Sequence, residues 1–193
     1  MRELRGQSCL GLEEIEPDRQ QIMVSRTFGG PVDDRQAMGQ ALATFLVRAA
    51  EKLRSRGLVA AAVGVFASTD RFKNSTPQHH PSKVVALQSP TADTRLLLAQ
   101  LRQILSGRFQ RAGVHYRKAG AWLTDLARPQ HVHEDLFSPA TLGNEPLMST
   151  LDAINHRFGH GRAGFGASGW KMRQEALSRR YTTCVGELPL VRW

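Results

Sequence analysis

The sequence predicts an α+β fold with the order β-α-β-β-α-β, and three observations lead there. Four stretches alternate apolar and polar residues or favour β-branched types, two longer ones repeat apolar residues every three to four, and the two kinds interleave in that order. With 193 residues, 41% hydrophobic and 22% charged, the chain has room for one good core and a smaller appendage. It is too apolar to be wholly disordered.

The first strand is expected from Gln21 to Phe28, where Ile22 and Val24 alternate with Ser25 and Thr27, and Gly29-Gly30-Pro31 is expected to end it. From Asp33 the period lengthens. Met38, Leu42, Phe45, Leu46, Ala49 and Leu53 form a helical stripe with acids at its start and Lys52, Arg54 and Arg56 before Gly57. Leu58 to Thr69 reads as a second strand, setting Val59, Ala61, Val63 and Val65 against Ala62, Gly64 and Phe66. The polar stretch from Asp70 to Pro81 leads to a third, Ser82 to Gln88. Pro90 and Thr91 are expected to open a second helix with the stripe Leu97, Leu98, Leu101, Ile104, Leu105 and Phe109. Gly113 stops it, and Val114 to Leu126 returns to strand spacing. The order is ferredoxin-like: two helices cover one face of a four-stranded antiparallel sheet and leave the other face open for a ligand.

After Leu126 the texture changes to Pro129, Pro139, Gly143 and Pro146 with few apolar residues. The organisation expected is a lead-in over 1–19, the sheet domain over 20–128, a linker over 129–145 and a small C-terminal unit over 146–193. That unit opens with a helical pattern, Leu147, Leu151, Ile154 and Phe158, followed by a glycine-rich stretch and a basic segment from Trp170 to Arg180.

Lys and Arg number 26 against 17 Asp and Glu, a net charge of +9 that favours polyanionic partners. Residues 1–128 carry 19 basic and 11 acidic side chains, residues 129–140 two acids, and residues 141–193 seven basic against four acidic, so the sheet domain holds most of the excess. Cys9 and Cys184 lie at opposite ends without companions, which predicts neither a zinc site nor a disulfide framework and suits a reducing cytoplasm. The longest apolar run, Leu58 to Ala67, falls far below the roughly 20 residues a membrane span needs, and the N-terminus lacks the apolar core of a signal peptide.

On the expected open face and edges, Ser25, Arg26, Ser68, Thr69, Lys73, Ser82, Lys83, Arg117 and Lys118, with Thr27 beside them, mix hydroxyls with cations, the groups that donate to phosphate oxygens. Residue by residue, a solvated face of a basic domain explains them equally well; together they favour phosphate binding. No aromatic stacking platform is expected at the strand centres, so tracking of a nucleic-acid backbone is favoured over base readout. Gly159 to Gly164 matches G-x-G-x-x-G but follows a helical pattern with no βαβ unit beyond it, so a tightly turned or flexible connector is expected instead of a dinucleotide site. The histidines lack companions at metal-ligand spacing, no metal site is expected, and no serine stands in a nucleophile-elbow motif. In the linker, His133-Glu134-Asp135-Leu136-Phe137 sets an apolar pair in an acidic stretch, suited to docking in a partner's pocket or to folding back on the chain's own core.

Several stretches together carry a family resemblance. Arg2-Glu3-Leu4-Arg5-Gly6, Ser8-Cys9-Leu10, Ser25-Arg26-Thr27-Phe28-Gly29, Arg48 to Arg54, Tyr116-Arg117-Lys118-Ala119-Gly120 and Ser178 to Thr183 resemble the C-terminal half of UmuC-type Y-family translesion DNA polymerases. The resemblance runs over nearly the whole chain, from the tether through the little-finger domain to the small C-terminal UmuC domain. It implies the β-α-β-β-α-β little finger, contacts from that domain to the phosphates of primer-template DNA, and a role in SOS mutagenesis and damage tolerance in the bacterial cytoplasm, at the nucleoid. It further implies a sliding-clamp motif of the form Gln-Leu-x-Leu-Phe at His133 to Phe137, of which only Leu136 and Phe137 match well. The segment from Leu147 to Tyr181 resembles the part through which the family is thought to meet RecA and the processed UmuD dimer.

In the family the palm and fingers, with the carboxylates that bind Mg2+, precede the tether, and this chain starts inside the tether. Phosphoryl transfer needs those metals, so no cofactor and no catalysis are expected of these 193 residues. Two other readings compete. One is an interaction module for clamp, RecA or processed UmuD with little DNA binding of its own. The other is a small acylphosphatase-like enzyme with a phosphate loop at Gly29-Gly30, although the matching arginine and asparagine pair is missing.

Overall fold

The structure, a computed structural model, describes residues 20–72, 77–131, 143–159 and 161–168. Lys73, His133 to Phe137, the 1–19 segment and the basic stretch from Trp170 lie outside the described residues. Strand β1 (Gln21–Val32), helix α1 (Arg35–Arg54), strands β2 (Val59–Ser68) and β3 (Ser82–Thr91), helix α2 (Thr94–Ser106) and strand β4 (Tyr116–Ala127) follow in the expected order, with α3 (Glu145–Phe158) after them.

Each helix is started by a carboxylate or amide. Asp34 accepts from the Ala37 backbone N–H at 2.6 Å, Asp93 from Arg95 N–H at 2.8 Å and Asn144 from Leu147 N–H at 2.9 Å, supplying partners to amides that have none within the helix. The second helix therefore begins after Asp93, and Pro90-Thr91 belongs to β3. α1 ends where Gly57, at φ 64°, turns the chain into β2. All six stripe residues of α1 are buried. They meet Leu97, Leu98, Leu101 and Ile104 of α2 and Ile22, Val63, Val65, Ala119, Ala121 and Leu123 from one face of the sheet in a single core.

The strands are antiparallel throughout and ordered β1-β4-β2-β3. A ferredoxin-like sheet has its first and third strands in the middle; here β4 and β2 are central. The α+β class, the element order and the two-layer build are as expected, while the strand order differs. Both edge strands run past their expected ends. β1 continues through Gly29-Gly30-Pro31 with a register shift between Thr27 and Val32, and β3 reaches Thr91 with a shift opposite Ala60 to Ala62, in the stretch that holds Pro90. Proline lacks the N–H that a central strand must donate, so on an edge it marks a bulge, and a bulged edge resists pairing with another chain. The same bulge removes the loop that an acylphosphatase-like site would need after β1.

α3 lies on this domain, held by Arg54. The Arg54 guanidinium donates to both Asp152 carboxylate oxygens at 2.6 and 2.7 Å, to Ala92 O at 2.9 Å and to Thr94 Oγ1 at 2.8 Å. Met148 and Asn155 are buried beside it. The helix is as expected, but its docking face is Met148–Asp152–Asn155. The stripe Leu147, Leu151, Ile154, Phe158 lies about 90° round the helix, with Phe158 61% exposed. Beyond α3, Gly159 and Gly161 take positive φ and Ala163 exchanges two hydrogen bonds with the Asn155 amide, a tight connector that returns Phe165 and Ala167 to the core.

Candidate nucleic-acid interface

Side chains alternate along each strand, so the register decides which residues share the face away from the helices. Four rows cross it. Thr27, Lys118 and Ser68 form the first; Ser25, Gly120, Phe66 and Ser82 the second; Met23, Trp122, Gly64 and Val84 the third; and Gln21, Thr124, Ala62 and Ala86 the last. None of these positions is an Asp or Glu.

Of the residues picked from sequence, Ser25, Ser68, Ser82 and Lys118 come together here. Arg26 pairs with Ala119 and Lys83 with Val65, whose side chains are in the core, so both alternate to the helix side, where they are exposed. Arg117 is out of phase with Lys118, and its Nη1 donates to Gly29 O at 2.9 Å across the β1 bulge. Thr69 is buried: its hydroxyl donates to Gln78 Oε1 at 2.9 Å and accepts from His79 N–H at 3.2 Å, which ties down the start of the β2–β3 loop. It presents no group to a ligand.

The centre of the face corrects another expectation. Phe66 and Trp122 stand on the two central strands with ring centroids 6.0 Å apart at 45°. A Cβ added at Gly64 would come 2.1 Å from Trp122 Cε2, and one at Gly120 would come 2.5 Å from Phe66 Cε1, so each ring lies across a glycine of the neighbouring strand. Both rings are half-buried. The Lys118 ammonium stands 5.9 Å from the Phe66 ring centroid, within cation–π range. Aromatics are thus present at the strand centres. The signal available in sequence was that Gly64, Phe66, Gly120 and Trp122 share one phase of their strands, but it means nothing until β2 and β4 are known to be neighbours.

Among the described residues no group of three His, Cys, Asp or Glu is placed to hold a metal, and no helix is long and apolar enough to cross a membrane. A cleft beside α3, lined by Arg54, Thr91, Asp93, Glu145, Met148 and Asp152 among others, has Arg54 paired with Asp152 and Asp93 with Arg95.

A four-stranded antiparallel sheet buried on one side and carrying a carboxylate-free face on the other defines a small α+β domain with an open sheet surface. Residues 19–136 match the model of the impB/mucB/samB family C-terminal domain, and residues 145–191 match a domain of unknown function, DUF4113. Protein ImpB of Salmonella typhimurium is 37% identical over 198 residues, covering all of this chain and 46% of that protein. Protein UmuC of Salmonella typhimurium strain LT2 is 36% identical, covering all of this chain and 47% of that protein. A solved structure described as a complex of beta-clamp processivity factor and little finger domain of PolIV aligns with a TM-score of 0.42 and 19% identity, over 62% of this chain and 99% of that one. The chain belongs to the impB/mucB/samB family, and its resemblance to the C-terminal part of UmuC-type Y-family proteins holds along its full length. It spans about half the length of the curated relatives it matches.

Proposed function

We propose that this chain is a non-catalytic DNA-binding piece of a translesion polymerase system, acting in SOS mutagenesis in the bacterial cytoplasm at the nucleoid, and that the open sheet face meets the phosphates of primer-template DNA. The observation that carries this is the row Thr27–Lys118–Ser68 beside Ser25 and Ser82, an array of donors with no carboxylate in it. Its setting is basic: residues 20–128 hold 16 Lys and Arg against six Asp and Glu. Arg26 and Lys83 add long-range attraction from the edge strands, Arg117 adds it from the start of β4, and Lys73 contributes a further positive charge.

Fluorescence-anisotropy titration against a primer-template duplex and an unrelated duplex, repeated over a salt series, tests the reading. About four phosphate contacts give a slope of log K against log salt near −3 to −4, the same for both duplexes. Lys118→Ala should weaken binding about three- to tenfold on any sequence and flatten the slope by about one, and Arg117→Ala should do less. Unchanged affinity and slope in Lys118→Ala would sink the assignment.

The same chain also recruits partners on this reading: the sliding clamp through His133, Glu134, Asp135, Leu136 and Phe137, and RecA and the processed UmuD dimer through residues 146–193. The outward stripe Leu147, Leu151, Ile154 and Phe158 favours a protein partner for α3, because an apolar row left half-exposed beside a docked face is what helix-groove contacts use. Deleting residues 129–193 separates the roles: DNA binding stays and pull-down of clamp, RecA or processed UmuD is lost.

A further inference from the structure

We infer that Phe66 and Trp122 form a stacking platform for the bases of single-stranded DNA, so that the open face takes an unpaired stretch of strand as well as duplex phosphates. The inference deepens the phosphate-binding reading of the same face and rests on it.

The rings stand on adjacent central strands, 6.0 Å apart, with Gly64, Gly120, Ala62 and Ala86 around them and the exposed side chains of Met23 and Val84 at the two ends of the Trp122 row. Each ring lies across a neighbouring glycine, an arrangement that also shields a weak point in a sheet. Both side chains nonetheless remain partly exposed. A partly exposed aromatic ring on an open sheet is what an unpaired base can stack on, whereas a base in a duplex has both faces occupied by its neighbours.

The surroundings of Phe66 favour a polynucleotide over an apolar partner. Lys118 stands over Phe66, Ser25 flanks Gly120 on β1, Ser82 pairs with Phe66 on β3 and Ser68 pairs with Lys118, so cation and hydroxyls border Phe66 at the spacing of one or two residues, while Met23 and Val84 flank the Trp122 row. A base lying on Phe66 brings its phosphate toward that border. No carboxylate on the face repels it.

The test compares three probes on the full chain by anisotropy: a short oligothymidylate, an abasic oligonucleotide of the same length, and a duplex. Oligothymidylate should bind about tenfold tighter than the abasic strand. Phe66→Leu and Trp122→Leu, which keep apolar cover over the glycines, should each remove most of that preference while leaving abasic and duplex affinities and their salt slopes in place. In a chain with Trp170→Phe and Trp193→Phe, the remaining Trp122 emission should be quenched by oligothymidylate and not by the abasic strand, a readout that needs no destabilising change. Equal affinity for oligothymidylate and abasic strands, or quenching by both alike, overturns the platform. Loss of duplex binding with the thymidylate preference intact would instead overturn the phosphate grip on duplex DNA, and silence toward all three probes at low salt would overturn both.

Discussion

At Asp93 one side chain does three jobs: it caps α2, pairs with the Arg95 guanidinium at 2.6 Å and accepts from the Asn144 backbone N–H at 2.8 Å, just before α3. Burial pushes its carboxyl up, but the Arg95 side chain and the two backbone N–H groups outweigh that and hold it below the ordinary value. A carboxyl depressed in the folded state stabilises above its unfolded value of about 3.9, and that stabilisation is lost as pH falls through the folded value. Stability should therefore be level from neutral pH to about 5 and fall below about 4, and Asp93→Asn should blunt that fall at a cost of about 1–2 kcal/mol at neutral pH. Urea titrations of both proteins across pH check it. Gly64 makes a second residue-scale case. A methyl there collides with the Trp122 indole, so Gly64→Ala should cost about 1–3 kcal/mol, while Gly30→Ala, with nothing within 4 Å of its Cβ, should cost far less. Thermal melts of the pair decide between a ring seated on glycine and a ring free to move aside.

Among the elements, α3 shows how a readable helix can carry an unreadable face. Its apolar spacing located it, yet the side that docks is set by Arg54, a residue nearly a hundred positions away whose four hydrogen bonds join α1, α2 and α3. Arg54→Ala should cost about 2–3 kcal/mol, since it strips Asp152 of a largely shielded partner, and Arg54→Lys should not rescue it because an ammonium cannot make the paired contacts to the carboxylate. Hydrogen exchange should rise through residues 147–158 in both variants, and unaltered protection there would exclude Arg54 as the anchor. The edge strands teach a related lesson. Gly29-Gly30-Pro31 and Pro90 read locally as stops because proline and glycine break most strands, but an edge has an unpaired side on which a missing N–H costs nothing.

For the whole molecule, the order β1-β4-β2-β3 is the decisive fact, because it brings Lys118, Gly120 and Trp122 beside Gly64, Phe66 and Ser68 at the middle of the exposed face. Four of the nine residues picked for phosphate contact share that face, two alternate to the other side, Arg117 is held on Gly29 O, Thr69 is buried, and Lys73 lies outside the described residues. A mixed surface of this kind predicts that affinity for duplex DNA depends steeply on salt while any preference for unpaired strand persists as salt rises, because stacking releases no counterions. Affinity for oligothymidylate and for duplex, each measured over one salt series, would separate the two contributions.

What the sequence by itself determined was what local period carries: the α+β class, the six elements in order, the buried stripe of α1, the stripe of α2 as far as Ile104 though not its end, which falls at Ser106 before Phe109 and the expected stop at Gly113, the basic balance, and the family, whose marks are runs of adjacent residues. What only the tertiary structure decided was whatever depends on which strands are neighbours and in what register: the central place of β4 and β2, the aromatic pair over its glycines, the division of the cations between two faces, and the docking of α3. The physical reason is that alternation fixes a side chain's phase along its own strand and leaves open which strand lies beside it, a choice made by the packing of two helices and four strands around one core.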